Sequence, residues 1–156
     1  MWLQRGGVAG FARYHESPVG PYTEVFAARL DARRLGLHVP FMAVDSEPSL
    51  RGGRRHWALP KTMAAFAREP RGFAATAEDG GWSARASVVS AGVRVPLAVA
   101  VGLVQEPGAR TPARARGWGR LARIRVEADG APLMPGVHVG VVVERATLVV
   151  RDARRG

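Results

Sequence analysis

Among the 23 lysines and arginines of this 156-residue chain, Lys61 is the only lysine. Arginine stays protonated and cannot attack a carbonyl as an amine, whereas lysine can release its proton and do so. Where every other basic position is arginine, a retained lysine marks a place that arginine cannot fill. The chemistry it opens is imine formation with a ketone. An ordinary lysine titrates near ~10.4 and must be brought to roughly 7–8 to act as a nucleophile at neutral pH. Apolar surroundings do this by disfavouring the ammonium, and Trp57, Leu59, Met63 and Ala64 are expected to supply them. A helix N-terminus at Lys61, positive at that end, would push the same way, as would Arg54 or Arg55.

Other chemistries find no footing. The chain has no cysteine, which removes disulfides, thiolate zinc sites and cysteine nucleophiles. His15, His38, His56 and His138 show no paired metal spacing. There is no Gly-x-Ser-x-Gly elbow, and no glycine-rich phosphate loop leads into a lysine. Trp57 and Trp118 are read as packing residues.

The elements that must position Lys61 read mostly as strands. Gly20–Leu30, Leu37–Val44, Phe73–Glu78, Trp82–Val89, Val93–Val104, Leu121–Ala128 and Val137–Val150 are rich in β-branched, aromatic or alternating apolar residues. Asp79-Gly80-Gly81 and Asp129-Gly130 are turn signals. A single short helix is expected after Pro60, with Met63, Phe66 and Ala67 on one face. Pro70 and Gly72 would end it. The Pro-, Gly- and Arg-rich stretch 106–119 reads as a mobile loop, and residues 151–156 as a frayed tail. The expected fold is mainly β (α+β). It is a curved antiparallel sheet or open β-barrel around a central cavity, in one domain over 1–156.

The net charge of +10 raises the question of nucleic acid. The arginines are scattered, and the one cluster, Arg110, Arg114, Arg116, Arg120, Arg123 and Arg125, reads as a solvated loop running into a strand edge. No specific nucleic-acid partner is expected; phosphate contacts alone would be lost at moderate salt. No run approaches the ~20 apolar residues of a membrane span. Met1 to Arg5 lack the pattern of a signal peptide, so a cytoplasmic protein without a membrane partner is expected.

Three blocks carry a resemblance: Ser17-Pro18-Val19-Gly20-Pro21-Tyr22-Thr23-Glu24, then Val44-Asp45-Ser46-Glu47-Pro48-Ser49-Leu50, then Gly52-Gly53-Arg54-Arg55-His56-Trp57-Ala58-Leu59-Pro60-Lys61. In order and spacing they resemble the acetoacetate decarboxylase family, in which a Tyr-x-Glu strand precedes an Asp-x-Glu loop, a Gly-Arg turn and a Pro-Lys pair. The resemblance implies that Lys61 is the Schiff-base nucleophile and Glu24 the pocket glutamate that orients the lysine or moves a proton. Strand alternation places Glu24 on one face with Tyr22 and Phe26. Arg54, Met42, Leu59 and Tyr22 are the candidate substrate-binding residues, and Asp45 and Glu47 are expected to hold the loop. Three departures stand out. Thr62 replaces the second lysine of the best-known members, and Arg55 stands where the family often has an acid. The chain also reads as a short member lacking the usual N-terminal segment, with Arg5 and Arg13 as substitutes for that segment's pocket arginine.

The function implied is a cofactor-independent lyase that decarboxylates a β-keto acid through a Lys61 imine. One alternative is a Schiff-base aldolase or dehydratase acting on pyruvate-like substrates. Another is a noncatalytic small-ligand-binding β-barrel. The expected partner is a small keto acid; neither a metal nor an organic cofactor is called for, and a homo-oligomer is admitted but not required.

Overall fold

The computed structural model describes residues 1–105 and 108–152. Nine strands and one helix follow in the order β1 (Trp2–Gln4), β2 (Gly7–Tyr14), β3 (Tyr22–Asp31), β4 (Gly36–Val44), α1 (Glu47–Trp57), β5 (Lys61–Glu69), β6 (Gly72–Ala77), β7 (Ser83–Gln105), β8 (Ala109–Asp129) and β9 (Gly136–Val150). Each strand pairs with the next, and β1 meets β9, so the curved sheet closes into a ring. The seam is narrow: Trp2 stands opposite Gly140, and the Val141 N–H donates to the Met1 carbonyl at 2.8 Å. The mainly-β fold with one short helix is thus present. Among the described strands the pairing is antiparallel except where β4 runs parallel to β5 and touches β7.

That parallel pair explains the helix. Parallel neighbours cannot be joined by a tight turn, so the chain must cross over, and α1 is the crossover between β4 and β5. Ser46 caps its start, accepting from the Ser49 N–H at 3.3 Å, and Pro48 occupies the first turn. Arg54, Arg55 and His56 lie in the last turn, where the helix dipole favours cations. Ala58 then adopts a left-handed conformation, with φ 52°, and its N–H donates to the Gly53 carbonyl.

The helix expected after Pro60 is therefore a strand, and the helix lies one segment earlier. Thr62 to Arg68 contain good helix formers. As β5, however, they gain ladder partners on both sides, Met42–Val44 on β4 and the length of β6. Pairing and burial override local propensity here. The expected loop 106–119 is corrected as well. Ala109–Gly119 belong to β8 and pair with β7, while Glu106 and Pro107 lie outside the described residues. The alternation Ala113-Arg114-Ala115-Arg116 has the two-residue period of a strand beneath a loop-like composition. Alternation also puts Arg110, Arg114, Arg116 and Arg120 on one face of β8, where Glu144 bonds both Arg120 (2.8 Å) and Arg94 (2.9 Å). The two strands expected over 82–104 are one, β7, with register shifts between Val88 and Arg94. In the tail, the Arg151 N–H donates to the Pro112 carbonyl at 3.0 Å, and 153–156 lie outside the described residues.

Two apolar clusters lie on opposite faces of the sheet. The larger draws on every strand, from Trp2, Ala9, Val25, Ala43 and Ala64 round to Ile124 and Val142. That is the arrangement of side chains pointing into a closed sheet. The smaller cluster comprises Ala28, Val39, Met42 and Leu59, with Phe26 and Trp57 against them. No helix among the described residues is long and apolar enough to cross a membrane.

Candidate active site

Four neighbouring strands, β2 to β5, and the crossover helix bring the site together. On β3, alternation points Tyr22, Glu24 and Phe26 to one face. Register carries that face across the sheet, since Phe26 stands opposite Met42, and Met42 opposite Lys61. This is the face of the smaller apolar cluster, and α1 covers it. Lys61 opens β5 after a tight turn around Pro60, closed by its N–H donating to the Leu59 carbonyl at 2.8 Å. It lies at a strand start, so the expected helix dipole does not act on it.

The Lys61 side chain runs beneath α1 towards Glu24. Lys61 is 1% exposed, Ser49 4% and Glu24 5%. The amine donates to Glu24 Oε2 at 3.1 Å and to Ser49 Oγ at 2.9 Å. The other oxygen of Glu24 accepts from the Tyr14 hydroxyl at 3.3 Å. The Tyr22 ring centre is 5.1 Å from Nζ, a cation–π distance. Tyr14 and Tyr22 stack with centres 4.6 Å apart; both are half-buried and form the rim of the site. The groups touching the amine are therefore a carboxylate, a hydroxyl and an aromatic face. The expected apolar wall lies further along the stem, where Met42, Leu59 and Trp57 belong to the smaller cluster.

Burial pushes the Glu24 carboxyl above the ordinary carboxylate range, and the Lys61 charge with hydrogen bonds from Lys61 and Tyr14 pulls it partly back. Tyr14 and Tyr22 are raised by burial first and by the Glu24 charge second, so both stay protonated. A buried ion pair is a weak contributor to stability, because desolvating two charges offsets their attraction. Strongly perturbed groups of this kind concentrate at functional sites.

Gly53 decides how closely α1 can approach. A Cβ there would stand 2.6 Å from Lys61 Cδ and 2.7 Å from Cε, closer than carbon atoms pack. Gly53→Ala is expected to displace the lysine stem, destabilising the fold by about 1–3 kcal/mol and slowing any reaction of the amine. Urea denaturation and the rate of amine labelling measure the two effects. An unchanged labelling rate would show that the stem's placement is immaterial.

Arg54 is exposed on α1, and its Nε donates to the Lys61 carbonyl at 2.8 Å, holding the backbone where the lysine leaves it. Met42 is buried directly opposite Lys61. Asp45 ties the end of β4 to β3, its Oδ1 accepting from the Thr23 N–H at 2.7 Å. Glu47 sits in the first turn of α1, 3.7 Å from Arg51. Arg13 pairs with Thr23, so alternation turns it away from the face of Tyr14 and Glu24. Arg5 lies in the turn between β1 and β2. The sequence reading missed Ser49, Gly53 and Tyr14. Ser46 followed by Glu47-Pro48 is a helix-start signal that would have placed Ser49 in a first turn.

A family model described as acetoacetate decarboxylase (ADC) matches residues 6–144. Among solved structures, the acetoacetate decarboxylase from Legionella pneumophila subsp. pneumophila str. Philadelphia 1 is similar with a TM-score of 0.57 and 14% identity. The similarity covers 94% of this chain and 71% of that one, and at such identity it bears on the fold alone. No curated protein compared matches. On the strength of the family match, which spans most of the ring and the whole of the Lys61 site, the chain belongs to the acetoacetate decarboxylase family.

Proposed function

We propose that the chain is a Schiff-base-forming lyase that decarboxylates a small β-keto acid through Lys61. The observation that carries this reading is the sole lysine, buried and hydrogen-bonded to a glutamate whose carboxyl is raised by burial. Family membership supports a decarboxylase-like lyase.

In this mechanism Glu24 accepts a proton from Lys61, and the neutral Nζ attacks the ketone carbon. Glu24 gives that proton to the departing hydroxyl, so water leaves and a protonated imine forms. The bond to the carboxylate breaks, its electron pair forms the enamine, and carbon dioxide departs. Glu24, having taken up a proton from solvent, passes it to the enamine carbon, and water then hydrolyses the resulting protonated imine to release the ketone and regenerate the lysine. The protonated imine is the electron sink, so this chemistry requires neither metal nor organic cofactor. A carboxyl raised towards neutrality suits both directions of proton transfer. We assign Arg54 to the substrate carboxylate, Met42 and Leu59 to its apolar part, and the Tyr22 ring to the cationic imine.

Borohydride reduction with acetoacetate and with pyruvate, read by intact mass, tests the reading. The expected product is a single adduct at Lys61 that has lost carbon dioxide from acetoacetate. Adducts that keep the carboxylate from both acids would point to aldol or dehydration chemistry instead. Binding of keto acids without any adduct would point to a noncatalytic binding protein.

A further inference from the structure

Ser49 is a buried side chain on α1 whose hydroxyl lies 2.9 Å from Nζ, nearer than the carboxylate. It also interacts with the Tyr22 phenol. We propose that Ser49 is a positioning residue for the Lys61 amine, holding it aimed while its proton is gone. The inference rests on the imine reading above.

The need for such a group follows from the proton transfer itself. While Lys61 is an ammonium, the charge-assisted bond to Glu24 fixes Nζ. Once the proton has moved, Glu24 is a neutral acid and that hold weakens, at the moment when the lone pair must face the ketone. A hydroxyl both accepts and donates, so Ser49 can bond the ammonium, the neutral amine and the imine N–H alike. The Tyr22 phenol, kept protonated, lies within reach of that hydroxyl. The backbone does not depend on this side chain: the Ser46 cap uses the Ser49 N–H, and alanine suits a helix interior.

The test uses acetylacetone, a β-diketone that converts an amine into a conjugated enaminone followed by absorbance. Its reaction with the whole protein is measured across pH for the parent, Ser49→Ala, Ser49→Thr and Tyr22→Phe. Removing the hydroxyl should lower the saturating rate about 10–100-fold, the scale of a small misplacement of reacting groups. The same change should move the acid limb of the profile to lower pH, because the hydroxyl bonds the ammonium more strongly than the neutral amine. More neutral amine with slower reaction is a signature that loosened packing does not give. Threonine should restore both features, and Tyr22→Phe should show a weaker form of the alanine effect. A Ser49→Ala protein that labels as fast as the parent overturns the inference and leaves the imine reading standing. So does one that is slower with an unmoved acid limb and no rescue by threonine. A parent protein that never labels at Lys61 removes both.

Discussion

Lys61→Arg should abolish imine trapping at residue 61, a loss of several orders of magnitude rather than a graded decline. Arginine keeps the charge for Glu24 but cannot act as an amine nucleophile. The guanidinium is wider than the ammonium, and Gly53 stands hard against the lysine stem, so a second variant guards against misfolding. In Lys61→Met the stem is retained without the charge, and Glu24, already raised by burial, can take up a proton rather than remain a lone buried carboxylate. Circular dichroism should show both variants folded, and neither should give a reducible adduct at position 61. The only other primary amine is that of Met1, which burial lowers to about 6 although much of the Met1 side chain is exposed. That amine is mostly uncharged at neutral pH and competes for the reagent, so peptide mapping must locate the adduct. Labelling confined to Met1 in the parent would end the case for Lys61.

Glu24→Gln should slow turnover about 10²–10⁴-fold, the usual contribution of a positioned acid–base group, while trapping slows but persists. The amide oxygen can still accept from Nζ while its NH2 faces the Tyr14 hydroxyl as a donor, but the amide cannot carry a proton. The same variant reads the linkage to stability. Burial raises the Glu24 carboxyl in the folded protein, so the native state binds that proton more tightly than the unfolded chain does. The contribution is fully present below the ordinary carboxylate range and is lost as pH rises through the raised value. Urea denaturation across pH should therefore show the parent's advantage over Glu24→Gln shrinking as pH rises. An advantage that grows with pH would mark Glu24 as a simple ion-pair partner and remove its acid–base role.

Much of the ring was legible in the chain. The strands β3, β4 and β6, the Asp79-Gly80-Gly81 turn and the valine-rich β9 announce themselves by alternation, β-branching and glycine. The helix was misplaced because helix propensity favours the segment after Pro60, whereas Gly52-Gly53 argues against a helix in the segment before it. What selects between them is long-range. Lys61–Glu69 find pairing partners on β4 and β6, and the parallel step from β4 to β5 then demands a crossover. β8 was hidden in the same way, its period of two masked by arginine, proline and glycine.

By itself the sequence determined which side chain is proposed to carry the chemistry. A single lysine among arginines, after Leu59-Pro60 and downstream of Tyr22-Thr23-Glu24, follows from side-chain chemistry and motif order, and neither depends on the fold. The surroundings of its amine were decided only by tertiary structure. Glu24 reaches Lys61 because β3, β4 and β5 lie side by side in one register. Ser49 and Gly53 reach it because the crossover helix folds back over that face. Contacts between residues 12 and 37 positions apart in the chain leave no local pattern to read. They arise when closing the sheet fixes which strands are neighbours, and that closure turns an apolar lysine environment expected from flanking residues into a carboxylate, a hydroxyl and an aromatic ring around one amine.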